Sequence, residues 1–176
     1  MKQETEALHA GYNKDEEKTM AVPIYLSTAY DFETTDFAAS SFNLNEGTDN
    51  VYTRIGNPTT AILERRFAKV EGGSGALAVA SGMGAIFYSI LNIAESGDNI
   101  IVANQLYGGS ITLFSQTLKR LGIEVRFFDV HAPKQIDELV DNETKCVCFE
   151  SIANPSIDIP DFDAIIEIAN EYYNNS

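Results

Sequence analysis

Between residues 77 and 90 the sequence LAVASGMGAIFYSI sets a run suited to a buried strand against a run suited to a buried helix, joined by Ser81-Gly82-Met83-Gly84. A helix beginning there presents backbone N–H groups with no intrahelical acceptor, and the helix dipole adds positive potential, which together hold an anion such as a phosphate. Glycines at 82 and 84 let such a group approach the main chain closely; the alternative is that small residues at this junction serve packing alone. The dinucleotide fingerprint G-x-G-x-x-G fails because Phe87 occupies the third glycine position, and no G-K-[ST] follows to make a nucleotide P-loop.

Two other stretches bear on the same chemistry. In NVYTRIGNPTT, Arg54 stands beside Tyr52 just ahead of a helix start. Its planar fork suits phosphate, and a surface salt bridge is the competing reading. In NQLYGGS, Tyr107 follows a strand and precedes a glycine pair. An aromatic ring there either stacks on a flat ligand or closes the core. Cys146 and Cys148, in TKCVCFE, are the only cysteines, and strand alternation puts both on one face. Positions two apart on one strand make a poor disulfide, and neither His9 nor His131 pairs with them in a metal-ligand pattern, so they are expected to be reduced core thiols with no metal site.

The elements that must position these residues begin at about residue 57. Asn57-Pro58 reads as a cap with proline at the first helical position, Ile62, Leu63, Phe67 and Val70 recur at helical spacing, and Gly72-Gly73 ends the helix. A strand at about 75–80 then leads through the Gly-Met-Gly turn into a helix at about 83–95. Strand NIIVAN, a helix from Tyr107 to Leu121, strand IEVRFFD, a short helix at about 134–140, strand KCVCFES and a helix from about Asp161 follow. Such alternation predicts an α/β fold with a mainly parallel sheet covered on both faces. The first 56 residues are polar and turn-rich, with a short helix at 34–42, and read as an arm packed on a neighbour or on another part of the chain.

The totals narrow the function classes. The 176 residues, 44% of them hydrophobic, suffice for a real core. A formal net charge of -14, with no basic cluster, disfavours nucleic acid and anionic membranes as partners. The opening MKQETEALHAGYNKDEEK lacks the features of a secretory or transit peptide, which suits the cytoplasm. Residues 72–94 carry no charge, but they divide at Ser81–Gly84 and lie between Glu71 and Glu95, so buried strand and helix are expected rather than a membrane span.

YTRIGNPT, EGGSGALAVASGMGA, NQLYGGS and ESIANP, in this order and at these separations, resemble the pyridoxal-phosphate (PLP) enzymes of cysteine and methionine metabolism. The run HAGYNKDEEKTMAVPIYLSTAYDFETTDFAASSF is most similar to the O-acetylhomoserine sulfhydrylase branch of that family. The resemblance implies an N-terminal arm at 1–56 making inter-subunit contacts, and at 57–176 the first part of the PLP-binding large domain of a fold-type I enzyme. It implies that the amides of Gly82 and Met83 hold the cofactor phosphate, that Tyr107 stacks on the pyridine ring, and that Asn154 lies near the 3'-oxygen with Glu150 in support. Tyr52 and Arg54 match residues that reach the phosphate of a neighbouring subunit, which implies a homo-oligomer, a dimer of dimers in the full-length enzyme.

The implied substrates are an amino acid and sulfide: the acetoxy group of O-acetylhomoserine is replaced to give homocysteine and acetate, a step of methionine biosynthesis. A cystathionine or methionine γ-lyase shares the same motifs and is the alternative within the family. A non-catalytic oligomerisation or binding module is the alternative of another class. The family needs a lysine to carry the cofactor, and Lys2, Lys14, Lys18, Lys69, Lys119, Lys134 and Lys145 do not match it, so these 176 residues alone are expected to be an inactive fragment.

Overall fold

In the computed structural model residues 2–42 and 50–173 are described, and their contacts divide the chain into two units, Met1–Ala78 and Val79–Ser176. The first unit carries helices α1 (Gln3–His9), α2 (Thr35–Phe42) and α3 (Pro58–Glu71). Helix α3 starts as its sequence predicts: the Asn57 side chain accepts the Thr59 N–H at 2.9 Å, and Pro58 needs no acceptor at the first helical position. It ends at Gly72, whose φ of 69° lies in the left-handed region, while the Gly73 N–H returns to the Ala68 carbonyl at 2.8 Å.

Helix α1, which the sequence pattern does not announce, buries no residue and is held by the chain that follows it. Arg66 Nε donates to the Ala10 carbonyl at 2.8 Å and Arg65 Nε to the Gly11 carbonyl at 3.1 Å. Gly11 has φ of 76°, and a Cβ there would stand 2.8 Å from the Arg66 backbone nitrogen, so only glycine allows this approach.

The second unit holds α4 (Gly82–Leu91), β1 (Asn99–Ala103), α5 (Gly108–Thr112), β2 (Glu124–Phe128), α6 (Ile136–Leu139), β3 (Thr144–Cys148) and α7 (Phe162–Tyr173). Helix α5 runs on through Leu113–Leu118 in wider, π-type turns, and a single 3-10 turn at Pro133–Gln135 leads into α6. The strands form one parallel sheet in the order β2-β1-β3, with Ile101 opposite Arg126 on one side and Val147 on the other. β1 is the central strand, and all five of its residues are buried: the apolar run at 100–103, as a strand between two covered faces requires, and the polar Asn99 before it. Phe114, Leu118, Ile123, Phe128, Ile136 and Ile165 pack with it in one core.

The expected strand at 75–80 is corrected here. No ladder forms over these residues, and Leu77 is 77% exposed. Apolar alternation supplies a strand's propensity but not its neighbour, and no strand of the described residues pairs with this segment. The remaining strands and helices fall where the pattern predicts them, within a few residues. Cys146 and Cys148 are free thiols, partly rather than fully buried.

A polar clasp fixes the amino end of the sheet. Asn99 Nδ2 donates to Asp141 Oδ1 at 2.6 Å, Thr144 Oγ1 donates to Asn99 Oδ1 at 2.8 Å, and Arg126 Nη1 reaches both Asp141 Oδ2 and the Leu139 carbonyl at 2.6 Å. Hydrogen bonds from Arg126 and then from Asn99 draw the Asp141 carboxyl down to a pKa of about 2. Among the described residues no helix is long and apolar enough to cross a membrane.

Candidate functional site

Near the carboxyl ends of β1 and β3 the stretches that carry Met83, Tyr107 and Asn154 come together. Ser81, extended at φ -157° and ψ 155°, caps α4: its Oγ accepts the Gly84 N–H at 3.0 Å and its carbonyl accepts the Ala85 N–H at 3.0 Å. The N–H groups of Gly82 and Met83 have no acceptor among the described residues. A Cβ at Gly82 would meet nothing within 4 Å, so the Cβ side of that residue is open. Free amides at a helix start are donors of the kind that can hold an oxyanion. At Gly84 an added Cβ would press on the capping Ser81 Oγ at 3.3 Å, so the cap itself favours glycine there.

Helix α5 begins beside α4. The Ser110 hydroxyl, 2% exposed, points to Met83 Sδ at 4.0 Å. Tyr107, the residue before α5, keeps its ring 51% exposed. That ring folds back over Gly109, where an added Cβ would lie 2.5 Å from Tyr107 Cε1. Gly109 is therefore the seat of the ring, a role that the sequence reading missed although the Y-G-G spacing carried the signal.

Glu150 ties the corner together. One carboxylate oxygen accepts the Tyr107 N–H at 3.1 Å and the other accepts the Asn154 N–H at 3.0 Å. The loops following β1 and β3 thus share a single carboxylate, which fixes the main chain under both Tyr107 and Asn154. Gly82, Met83, Tyr107, Glu150 and Asn154 all belong to the second unit.

Tyr52 and Arg54 lie in the first unit, held by a different set of bonds. Tyr52 makes an antiparallel bridge with Ala29, and the Thr53 N–H donates to the Thr28 carbonyl at 2.9 Å. Asn57, 6% exposed, sends Nδ2 to the Tyr25 carbonyl at 2.9 Å, which fastens the same two segments. The Arg54 guanidinium sits 4.8 Å from the centroid of the Tyr52 ring and has no ion pair among the described residues, so the salt-bridge reading of Arg54 finds no partner there. Also among the described residues, no group of three or more His, Cys, Asp or Glu side chains is placed to hold a metal.

O-acetyl-L-homoserine sulfhydrylase 1 of Thermus thermophilus is 46% identical over 174 residues, covering 97% of this chain and 41% of its own length. A crystal structure of a protein assigned as an O-acetylhomoserine (thiol)-lyase from Campylobacter jejuni, which contains N'-pyridoxyl-lysine-5'-monophosphate, superposes with a TM-score of 0.89 at 46% identity, over 98% of this chain and 42% of that one. Cystathionine γ-lyase of Lactobacillus plantarum, solved with L-serine, gives a TM-score of 0.82 at 31% identity, over 98% of this chain and 42% of that one. The chain thus spans about two fifths of the length of the relatives it matches. The family described as Cys/Met metabolism PLP-dependent enzyme matches residues 4–174. With that family matched over nearly the whole chain, the chain belongs to the PLP-dependent enzymes of cysteine and methionine metabolism.

Proposed function

We propose that this chain supplies the phosphate-binding and ring-stacking part of a PLP-dependent O-acetylhomoserine sulfhydrylase, which converts O-acetylhomoserine and sulfide to homocysteine and acetate in methionine biosynthesis. The observation that carries the reading is the corner at α4: two free N–H groups at its start, with α5, the helix that the exposed Tyr107 precedes, meeting Met83 through Ser110. These residues fit the cofactor. Gly82 and Met83 would hold its phosphate through their N–H groups, and Tyr107 would cover one face of its pyridine ring. Asn154 would stand toward the 3'-oxygen, with Glu150 holding its backbone and that of Tyr107 in place. When bound, PLP supplies an electron sink that makes the Cα and Cβ protons of an amino-acid substrate acidic.

Tyr52 and Arg54 are assigned to a neighbouring subunit's phosphate, as parts of an arm in a dimer of dimers. In support, Arg54 is exposed and braced on the Tyr52 ring, has no carboxylate partner among the described residues, and carries a planar fork suited to phosphate. The cytoplasm is the proposed compartment. None of the lysines in the second unit is offered as the cofactor's carrier: Lys119 follows the π-type turns, Lys134 sits in the 3-10 turn, and Lys145 Nζ pairs with Asp98 Oδ1 at 3.2 Å. On this reading the 176 residues alone have no turnover.

The γ-lyase reading is the weaker one, at 31% identity against 46% for the sulfhydrylase relative. An assay of the full-length enzyme that carries this segment separates the two. Homocysteine formation from O-acetylhomoserine and sulfide is expected to exceed elimination from cystathionine or methionine by well over tenfold in kcat/KM; faster elimination would overturn the sulfhydrylase assignment.

A further inference from the structure

Strand β3 sets two thiols side by side, apart from the residues assigned to the cofactor. Cys146 and Cys148 leave the same face of the strand, their Sγ atoms are 3.4 Å apart, and both are free and partly exposed. Cys148 opens into a cavity of ≈ 380 Å³ that is also lined by Ser110, Phe114, Phe149 and Glu150. The sulfurs are well beyond the S–S bond length of about 2.04 Å, and positions two apart on a strand, roughly 6.6 Å between Cα atoms, lie at the far limit for a disulfide. A single larger atom that takes both sulfurs meets no such obstacle. With Zn–S bonds of about 2.3 Å a 3.4 Å bite gives an angle of only about 95°, and zinc needs two further ligands. No such cluster exists among the described residues. A trivalent pnictogen centre has nearly perpendicular bonds, prefers soft sulfur and needs only these two ligands beside its own substituent.

We propose that Cys146 and Cys148 form a dithiol chelate for trivalent arsenicals and kindred thiophilic centres on β3, with Cys148 at the edge of the cavity. An aryl arsenoxide reacts there without change of oxidation state. Each thiol gives up its proton, two As–S bonds replace the As=O bond, and the oxygen leaves as water with the two protons. The pair is divided for this purpose. A hydrogen bond from Cys148 lowers the Cys146 thiol, while that same bond and burial raise Cys148, so Cys146 attacks first and Cys148 closes the ring.

Phenylarsine oxide tests the site on the reduced, natively folded chain, in which these are the only two cysteines. Native mass spectrometry is expected to show one adduct, heavier by phenylarsine oxide less one water, with both thiols lost to an aromatic disulfide reagent. The adduct should survive millimolar monothiol and yield to a 1,2-dithiol. Cys146→Ser and Cys148→Ser should each bind 10²–10⁴-fold more weakly, the effective-concentration advantage of a second linked ligand. The native wild-type chain decides the matter even if a variant fails to fold. An adduct that forms only after unfolding in guanidinium, or one that monothiol strips from native wild type as readily as from the single variants, would overturn the proposal.

Discussion

The two units of this chain are held by different physics. In the second, β1 and its neighbours make a dry core in which Ile100, Ile101, Val102 and Ala103 have no exposed surface. In the first, Ile62 is the only buried apolar side chain among the described residues, and the unit relies on polar clasps: Asn57 to Tyr25, Thr59 to Pro23, Arg66 to Ala10. Met20, Ile24, Leu26, Ile55 and Phe67 remain exposed there. Apolar burial is cooperative and sums over many contacts, whereas each net hydrogen bond contributes only about 0.5–1.5 kcal/mol. The same difference suits the two proposed tasks, a rigid floor for the cofactor and an arm whose order depends on what it meets.

The contrast breaks most sharply at β1. Ile101→Ala opens a cavity between two covered faces and should cost about 2–5 kcal/mol, read as a lowered denaturation midpoint of the second unit. A loss below about 1 kcal/mol would mean that β1 is not the centre of the core. In the first unit Asn57→Ala removes both a helix cap and the bond to Tyr25, for about 1–2 kcal/mol. Amide exchange should quicken around α3 while β1 keeps its protection. Equal loosening of both units would contradict their separation.

The clasp at Asp141 sharpens the comparison through pH. The carboxyl is drawn down to about 2 in the folded chain from an ordinary value of 3.8, so its contribution is fully present above pH 4 and is lost as pH falls toward 2. Asp141→Asn should flatten the acid limb of the second unit's stability over that window. An unchanged limb would remove Asp141 from the account. The smallest effect is expected at the ring: Tyr107→Phe should keep PLP affinity, and Tyr107→Ala should lose about 0.5–1.5 kcal/mol of it. Gly109→Ala should approach the Ala variant, because its methyl displaces the ring. Equal losses for Tyr107→Phe and Tyr107→Ala would shift the role from the ring to the hydroxyl.

What the sequence made legible was local. The caps of α3, the stop at Gly72 and the apolar runs of β1, β2 and β3 are written in neighbouring residues, and they form as read. The segment 75–80 has the same apolar character yet forms no strand, because a ladder needs a partner from elsewhere in the chain. Helix α1 escaped notice because QETEALH has no apolar stripe. At the site the residue types were readable, but their ties were not. Glu150 reaches Tyr107 across 43 positions, and Gly84 and Gly109 are explained by the side chains of Ser81 and Tyr107 that they accommodate.

The central claim is that the start of α4 is the anion cradle, and the amide resonances of Gly82 and Met83 test it most directly. Titration of the isotopically labelled chain with PLP, and separately with inorganic phosphate, should move these two N–H signals downfield in a saturable way. The Gly84 signal, already bonded to Ser81 Oγ, should shift least of the three. Shifts confined to other residues, with Gly82 and Met83 unmoved at saturating PLP, would contradict the assignment of this helix start as the phosphate site.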